Sequence, residues 1–220
     1  EFTKHHVVFR ISSKSEVGGI LAEFRVAAEK HFATKCEAVC VPHQLAGLRS
    51  DGESVNVSKA VRSWWAANGI KHEVSCCYEQ WQNGVAERAI KMAWEGAESC
   101  RKQGKVPARY WPFALLAFVH VRNRMAMGSD ERSPHEKWHC VTIPLLERIR
   151  HLRIFGAKCY ALVPKELRVK LDDKARVCVF LGYSDVSKGY ICLDLARCKI
   201  ITAVSVVFDE TKYPFSDLET

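Results

Sequence analysis

Ser75-Cys76-Cys77-Tyr78-Glu79-Gln80-Trp81-Gln82-Asn83-Gly84-Val85-Ala86-Glu87-Arg88 is the stretch on which the reading of this chain turns. Its second half is a polar turn feeding a helix. Asn83 and Gly84 suit cap and turn positions. Val85, Ala86, Ala89, Ile90 and Ala93 then recur at helical spacing. Glu87 falls in the first turn, where the helix dipole favours a carboxylate. Upstream, a strand-like run ends in Leu48-Arg49-Ser50-Asp51-Gly52, and 35 residues (52 to 86) separate Asp51 from Glu87. Taken singly, Asp51 also suits a plain turn before Gly52, and Glu87 an i,i+4 pair with Lys91.

Outward from this stretch, the chain has 220 residues, room for one large domain or two small ones. Hydrophobic residues make up 48% and charged residues 26%, a balance that allows a packed core and argues against disorder. No apolar run reaches the length of a membrane span, and residues 1–11 lack the apolar core of a signal peptide. No membrane partner is expected and the protein is read as not secreted. The ten cysteines form no pair of C-x2-C knuckles with matching histidines. A set of Cys36, Cys40, Cys76 and Cys77 can be assembled on paper. Most of the others sit in apolar runs such as Val177-Cys178-Val179-Phe180, which reads as buried free thiols in a reducing compartment.

Net charge is +8. Residues 147–176 hold nine Lys or Arg against four Asp or Glu and so supply +5 of it. A concentrated basic excess suits a polyanion; a solvated basic surface is the plainer account.

In chain order, residues 5–11 read as a strand, and Ser13 to Glu16 fits a capping box. Val17, Ile20, Leu21, Phe24, Ala28 and Phe32 then mark a helix. Strand-like runs follow at 36–41 and 45–49. Ser58 caps a helix to about residue 67, with Val61, Trp64 and Trp65 inward, closed by Gly69. Residues 70–75 form a short strand. The Glu87 helix runs to about Gln103-Gly104, a second spans 109–125, and Pro134 opens a short one. Strands alternating with helices indicate an α/β domain. From Leu152 the pattern becomes short strands at about 155–163, 175–181, 188–193 and 199–208, which suggests a small barrel.

These motifs resemble the integrase of copia-type (Ty1/copia) retrotransposons. The family pattern appears as Leu48-Arg49-Ser50-Asp51, Asn68-Gly69-Ile70-Lys71-His72, Tyr78, and Gln82 to Arg88. The SH3-like signatures that follow its catalytic domain appear as Leu152 to Lys158, Phe180-Leu181-Gly182-Tyr183 and Val206 to Glu210. The resemblance implies an α/β ribonuclease-H-like integrase core with a mixed sheet and flanking helices, followed by a small SH3-like β-barrel. The expected organisation is a catalytic core over 1–140, a linker over 141–151, an SH3-like domain over 152–211 and a tail over 212–220.

The implied activity is DNA integration: metal-dependent end processing and strand transfer on double-stranded DNA, at element ends and target. Two hard cations about 4 Å apart activate the attacking oxygen and stabilise the leaving one, and they take carboxylate oxygens. Asp51 matches the second family Asp and Glu87 the family Glu, so both are the expected catalytic and Mg²⁺ or Mn²⁺ ligands. The family's first Asp has no match, since no Asp precedes Asp51. The chain is therefore expected to be an N-terminally truncated piece with little or no activity. The loop also departs from the family pattern at Cys77, Gln80 and Trp81.

Arg88, Lys91, Arg148, Arg150 and Arg153 are the expected DNA-binding residues. Trp81 suits base stacking, or more simply packing on its own core. Nuclear localisation and a homo-oligomer follow from the family. The alternative is a non-catalytic nucleic-acid-binding or assembly module derived from a transposable element, which predicts salt-dependent DNA binding without metal.

Overall fold

The computed structural model describes residues 3–35, 44–50, 59–74, 84–126, 130–164, 166, 168 and 173–218. The chain packs as two compact units, residues 1–91 with 134–142, and residues 92–133 with 143–220.

The first unit holds α1 (Val17–Lys35), β1 (Gly47–Ser50), α2 (Lys59–Ala67), β2 (Lys71–Val74), the start of α3 (Gly84–Gln103), and α5 (Pro134–His139). The capping box at Ser13 forms: Ser13 N donates to Glu16 Oε1 at 3.1 Å, and Ser13 Oγ accepts from Ser15 N at 3.3 Å. It starts a short 3-10 turn that runs directly into α1. β1 and β2 pair in parallel, Gly47 opposite Lys71 through Ser50 opposite Val74, with α2 as the crossover between them. A parallel pair requires such a crossover, and its helix covers the sheet. Trp65 and Ile70 are buried there. Gly69 closes α2 at φ +69, a left-handed conformation that glycine adopts without a Cβ penalty.

Residues 5–11 do not pair as the expected strand with any described residue. They instead lay side chains on α1 and α5. His5 stacks on Trp138 at 5.1 Å between ring centroids, and Phe9 meets Phe24 edge-on at 6.0 Å. Trp138 anchors this face, with Phe32 at 4.9 Å and its carbonyl 3.3 Å from His31 Nε2.

The second unit holds the remainder of α3, α4 (Trp111–Arg124), α6 (Leu145–Ile149) and a five-stranded antiparallel sheet. Its strands are β3 (Lys158–Leu162), β4 (Ala175–Tyr183), β5 (Tyr190–Asp194), β6 (Lys199–Ala203) and β7 (Val206–Asp209), in the order β6-β5-β4-β3-β7. The expected single strand over 199–208 is two. β6 pairs with β5 and β7 with β3, so the chain must turn a corner at Val204-Ser205 to serve both ends of the sheet. α6 lies inside the stretch read as a linker. Residues 214–218, read as part of a tail, form a 3-10 turn whose Phe215 joins the core.

Cys159, Cys178, Val179, Phe180, Leu181 and Cys192 form the centre of that core and are fully buried. The expectation of buried thiols acting as small hydrophobes holds for these three cysteines; Cys140 and Cys198 are exposed. Burial raises the Cys178 thiol to about 11. Contact with Cys192 at 3.7 Å, together with burial, pushes the Cys159 thiol far up. Neither is a nucleophile at neutral pH.

α4 packs along β4. Two close approaches need glycine. A Cβ on Gly96 would lie 2.2 Å from the Phe118 ring, so α3 and α4 meet there. Gly104 and Gly156 meet back to back: a Cβ on Gly156 would lie 2.7 Å from Gly104 Cα, and Gly156 sits at φ +81.

Candidate nucleic-acid and metal site

The local geometry starts from β1. Its last residue, Ser50, places its Oγ 2.9 Å from His72 Nε2 on the neighbouring strand. His72 thus ties the two strand ends together and needs no further chemistry. Val17, Leu21, Val61 and Trp65 close a cavity of about 220 Å³ against Ser50 and His72. Asp51 follows β1 directly and lies outside the described residues, as do Trp81, Tyr78 and the Cys36, Cys40, Cys76, Cys77 set. Among the described residues no group of three or more His, Cys, Asp or Glu side chains is arranged to hold a metal ion.

Glu87 stands in the first turn of α3, exposed, as the helix pattern predicts. Its carboxylate makes no hydrogen bond or ion pair with a described residue, so its oxygens are open to a ligand. An exposed carboxylate of this kind suits a hard divalent cation such as Mg²⁺ or Mn²⁺. The simple i,i+4 pair with Lys91 is not formed, and Lys91 is engaged with another group. Arg88 and Lys91 are both exposed, three residues apart and so on one side of α3.

The other acidic group near the β1–β2 pair is structural. Glu73 takes hydrogen bonds from Lys71 at 2.8 Å and from Arg49 at 2.8 Å, and these two cations lower its carboxyl to about 2.

The three arginines expected from the basic 147–176 segment separate. Arg148 is 8% exposed, so most of its guanidinium is closed to a phosphate and the expected role does not suit it. Helical spacing inside α6 turns it inward, which a count of charges could not reveal. Arg150 is exposed. Arg153 is half-buried. Its Nη1 donates to the carbonyls of Arg150 at 2.8 Å and Leu152 at 2.7 Å, and the guanidinium lies 5.1 Å above the Phe208 ring. Its backbone N donates to Tyr183 Oη at 2.9 Å. Burial raises the Tyr183 hydroxyl to about 12. Further along, Arg168 Nε donates to the Val163 carbonyl, and Arg176 faces the buried Asp194 at 3.9 Å. Much of the basic segment therefore does internal work.

Sequence reasoning missed an exposed aromatic pair. Trp94 on α3 and Trp111 at the start of α4 lie 5.3 Å apart, and both are about half exposed. Each looks like a core residue when only its own helix is read, because apolar spacing does not say which stripe faces a neighbour.

Residues 157–220 match the retroviral polymerase SH3-like domain family. Over 206 residues the chain is 30% identical to a retrovirus-related Pol polyprotein from transposon TNT 1-94 of Nicotiana tabacum, covering 93% of this chain. It is 31% identical over 219 residues to the Pol polyprotein from transposon RE1 of Arabidopsis thaliana, and 30% identical over 218 residues to that from transposon RE2 of the same plant, each covering 98% of this chain. The chain spans 14% of the length of each of these relatives. Among solved structures, a chain of the simian T-cell lymphotropic virus intasome in complex with PP2A regulatory subunit B56 gamma matches with a TM-score of 0.44. That match has 12% identity and covers 89% of this chain and 63% of the other.

Proposed function

We propose that the chain, whose residues 157–220 match the retroviral polymerase SH3-like domain family and which is about 30% identical over nearly its whole length to Pol polyproteins of plant retrotransposons, is an integrase core followed by an SH3-like domain, with a role in DNA integration and little strand-transfer activity of its own. The observation that carries the reading is Glu87, an exposed carboxylate without a described partner in the first turn of α3, with Arg88 and Lys91 beside it.

In this reading residues 1–140 derive from a ribonuclease-H-like catalytic domain and residues 152–211 form the SH3-like domain. Asp51 and Glu87 would hold Mg²⁺ or Mn²⁺. When bound, the ions supply Lewis-acid stabilisation of phosphodiester oxygens and an activated attacking oxygen. The remaining work falls to the chain. Ser50 and His72 hold the end of β1, which Asp51 follows in sequence. Arg88, Lys91 and Arg150 neutralise phosphates of double-stranded DNA and set its register. Arg153 fixes the chain entering β3 by binding carbonyls and supports Arg150 through one of them. Action in the nucleus and as a homo-oligomer belongs to the same proposal.

Two measurements test it. Mn²⁺ uptake followed by electron paramagnetic resonance is expected for the wild-type chain and is expected to be lost in Asp51→Asn and Glu87→Gln. Binding of a labelled DNA duplex is expected to weaken linearly on a log–log salt plot, and Arg88→Gln with Lys91→Gln lowers the slope by about 2. Duplex binding without any Mn²⁺ uptake would replace the metal-dependent reading with that of a non-catalytic nucleic-acid-binding module. Absence of duplex binding would remove both.

A further inference from the structure

Beyond Glu87 and its neighbours, the turn joining α3 to α4 carries a second group of cations. Arg101, Lys102, Lys105 and Arg109 line a cleft of about 650 Å³, floored by Val106, Pro107, Ala108 and Phe215. Among the described residues, no carboxylate lines it. All of its residues belong to the second unit.

The plain account of basic residues here is the helix end, where cations favour the negative pole of the dipole. That account covers Arg101 and Lys102. Arg101 is saturated: it forms a two-pronged pair with Glu98 at 2.8 and 2.9 Å and gives Nη1 to the Val106 carbonyl at 2.9 Å. Lys102 shares Glu98 at 3.4 Å. Lys105 and Arg109 lie past the last helical turn. Both are exposed, and neither is paired with a described carboxylate.

Lys105 also has a backbone cost. It sits at φ +51, the left-handed position that closes α3, where glycine is the relaxed choice. The glycine of this turn stands one residue earlier. Gly104 is held there by its close approach to Phe155 and Gly156, with a Cβ on it falling 2.6 Å from the Phe155 carbonyl oxygen. A lysine is therefore kept in a conformation that strains it, in a cleft whose described charged lining is all cationic. Local strain of this sort concentrates at functional positions.

We propose that Lys105 and Arg109, with Lys102, form a second contact for the phosphate backbone of duplex DNA, separate from the α3 N-terminal site. The inference rests on the DNA-integration reading above. The cleft's chemistry favours a phosphate chain over an acidic peptide. Peptide recognition draws on free main-chain hydrogen-bonding groups, and here three of them are used. Val106 N donates to the Arg101 carbonyl, the Val106 carbonyl accepts from Arg101, and the Pro107 carbonyl accepts from Tyr110 N. What remains is charge on flexible stems, which suits phosphates held by electrostatics and counterion release. A cleft of similar size near the sheet, lined by Arg168, Arg176 and Arg197, lacks this character. Asp173 and Asp194 share it, and two of its arginines are already engaged.

The test uses the full chain and a labelled 30-base-pair duplex, with the dissociation constant measured across salt concentrations by fluorescence anisotropy. Lys105→Gly is the informative variant, because it removes the cation while relieving the backbone. Its melting midpoint is expected to rise by about 2–4 °C, while affinity falls. Lys105→Gly with Arg109→Gln is expected to weaken binding about tenfold or more at moderate salt and to reduce the salt slope by about 2. Arg109→Gln alone reduces the slope by about 1. Unchanged affinity and slope in both variants, with the wild type binding normally, would overturn this contact and leave the integration reading standing. If the variants lose polyglutamate binding while duplex binding and its slope stay at wild-type values, the cleft is a protein-docking surface and the proposal fails. A wild-type chain that binds no duplex would remove the underlying reading itself.

Discussion

The two units build their interiors in different ways. In the second, five antiparallel strands drawn mostly from one run of sequence enclose Phe180, Leu181 and three cysteines without solvent contact. Phe180 sits edge-on to Tyr183, Tyr190 and Phe208 at 5.3 to 5.8 Å. In the first unit the described core is thinner. Trp65, Ile70 and Ala28 are buried, while Val7, Phe9, Ile11 and Val26 stay largely exposed and Trp138 stacks with the His5 and His31 imidazoles and meets the Phe32 ring edge-on. Antiparallel strands close on themselves through short turns, so a contiguous segment can complete its own core. A parallel pair depends on helices that arrive from distant parts of the chain. The difference teaches that ancestry and robustness need not lie in the same half. The segment carrying Asp51 and Glu87 holds the proposed metal ligands, and the barrel holds the most completely buried interior.

The largest test of this contrast is Phe180→Ala. It removes the centre of the barrel core and is expected to cost about 4 kcal/mol, unfolding the second unit in chemical denaturation. If the tryptophan signal of the first unit melted at the same midpoint as in wild type, the two units would be energetically independent.

Next comes Gly156→Ala. The new Cβ meets Gly104 Cα at 2.7 Å in a left-handed backbone, so about 3 kcal/mol of destabilisation is expected in the same experiment. A neutral result would show that the α3 terminus and the β3 entry can separate freely.

The third test is alkaline. The Tyr183 hydroxyl is raised from 10 in the unfolded chain to about 12 in the fold, chiefly by burial. A raised folded value means that its stabilising contribution is complete below pH 10 and is lost as pH rises through 12. The full effect is on the order of 3 kcal/mol. Melting midpoints measured from pH 9 to 12 should fall, and Tyr183→Phe should flatten that fall while lowering stability at pH 7 by leaving Arg153 N without its acceptor.

The smallest effect belongs to the first unit. Glu73 has a folded value near 2, below its ordinary 4.5, through Lys71 and then Arg49. Its contribution is present above pH 4.5 and disappears as pH falls through 2. Because the pair is solvent-accessible, Glu73→Gln should shift the melting midpoint only slightly, and high salt should erase the difference. A large shift would mean that the β1–β2 pair holds more of the unit's stability than its exposure suggests.

Much of the architecture was legible because periodicity and punctuation are local. The Ser13–Glu16 box, the Gly69 stop, the α3 and α4 helices, and Glu87 in a first turn all follow from neighbours within a few residues. The errors share one cause. The 5–11 run alternates like a strand, yet a strand needs a partner, and these residues find α1 and α5 instead. The 199–208 run reads as one strand because nothing local announces that its halves pair with opposite ends of a sheet. The count of nine cations in 147–176 was correct as composition and poor as a map of a surface, since Arg148 turns inward and Arg153 is held by carbonyls.

By itself the sequence determined the alternation of helices and strands and the relationship carried by Leu48–Asp51, Gln82–Arg88 and the barrel signatures, and it proposed Asp51 and Glu87 as metal ligands. These are properties of residue order and short-range backbone chemistry. Only the tertiary structure decided which cations face solvent, why Gly104 and Gly156 must both lack a Cβ, and that Lys105 occupies the strained position beside Arg109 in a cleft whose described lining holds no carboxylate. Those depend on which surfaces meet across long stretches of chain, where packing, not sequence spacing, decides what is buried and what is left to bind.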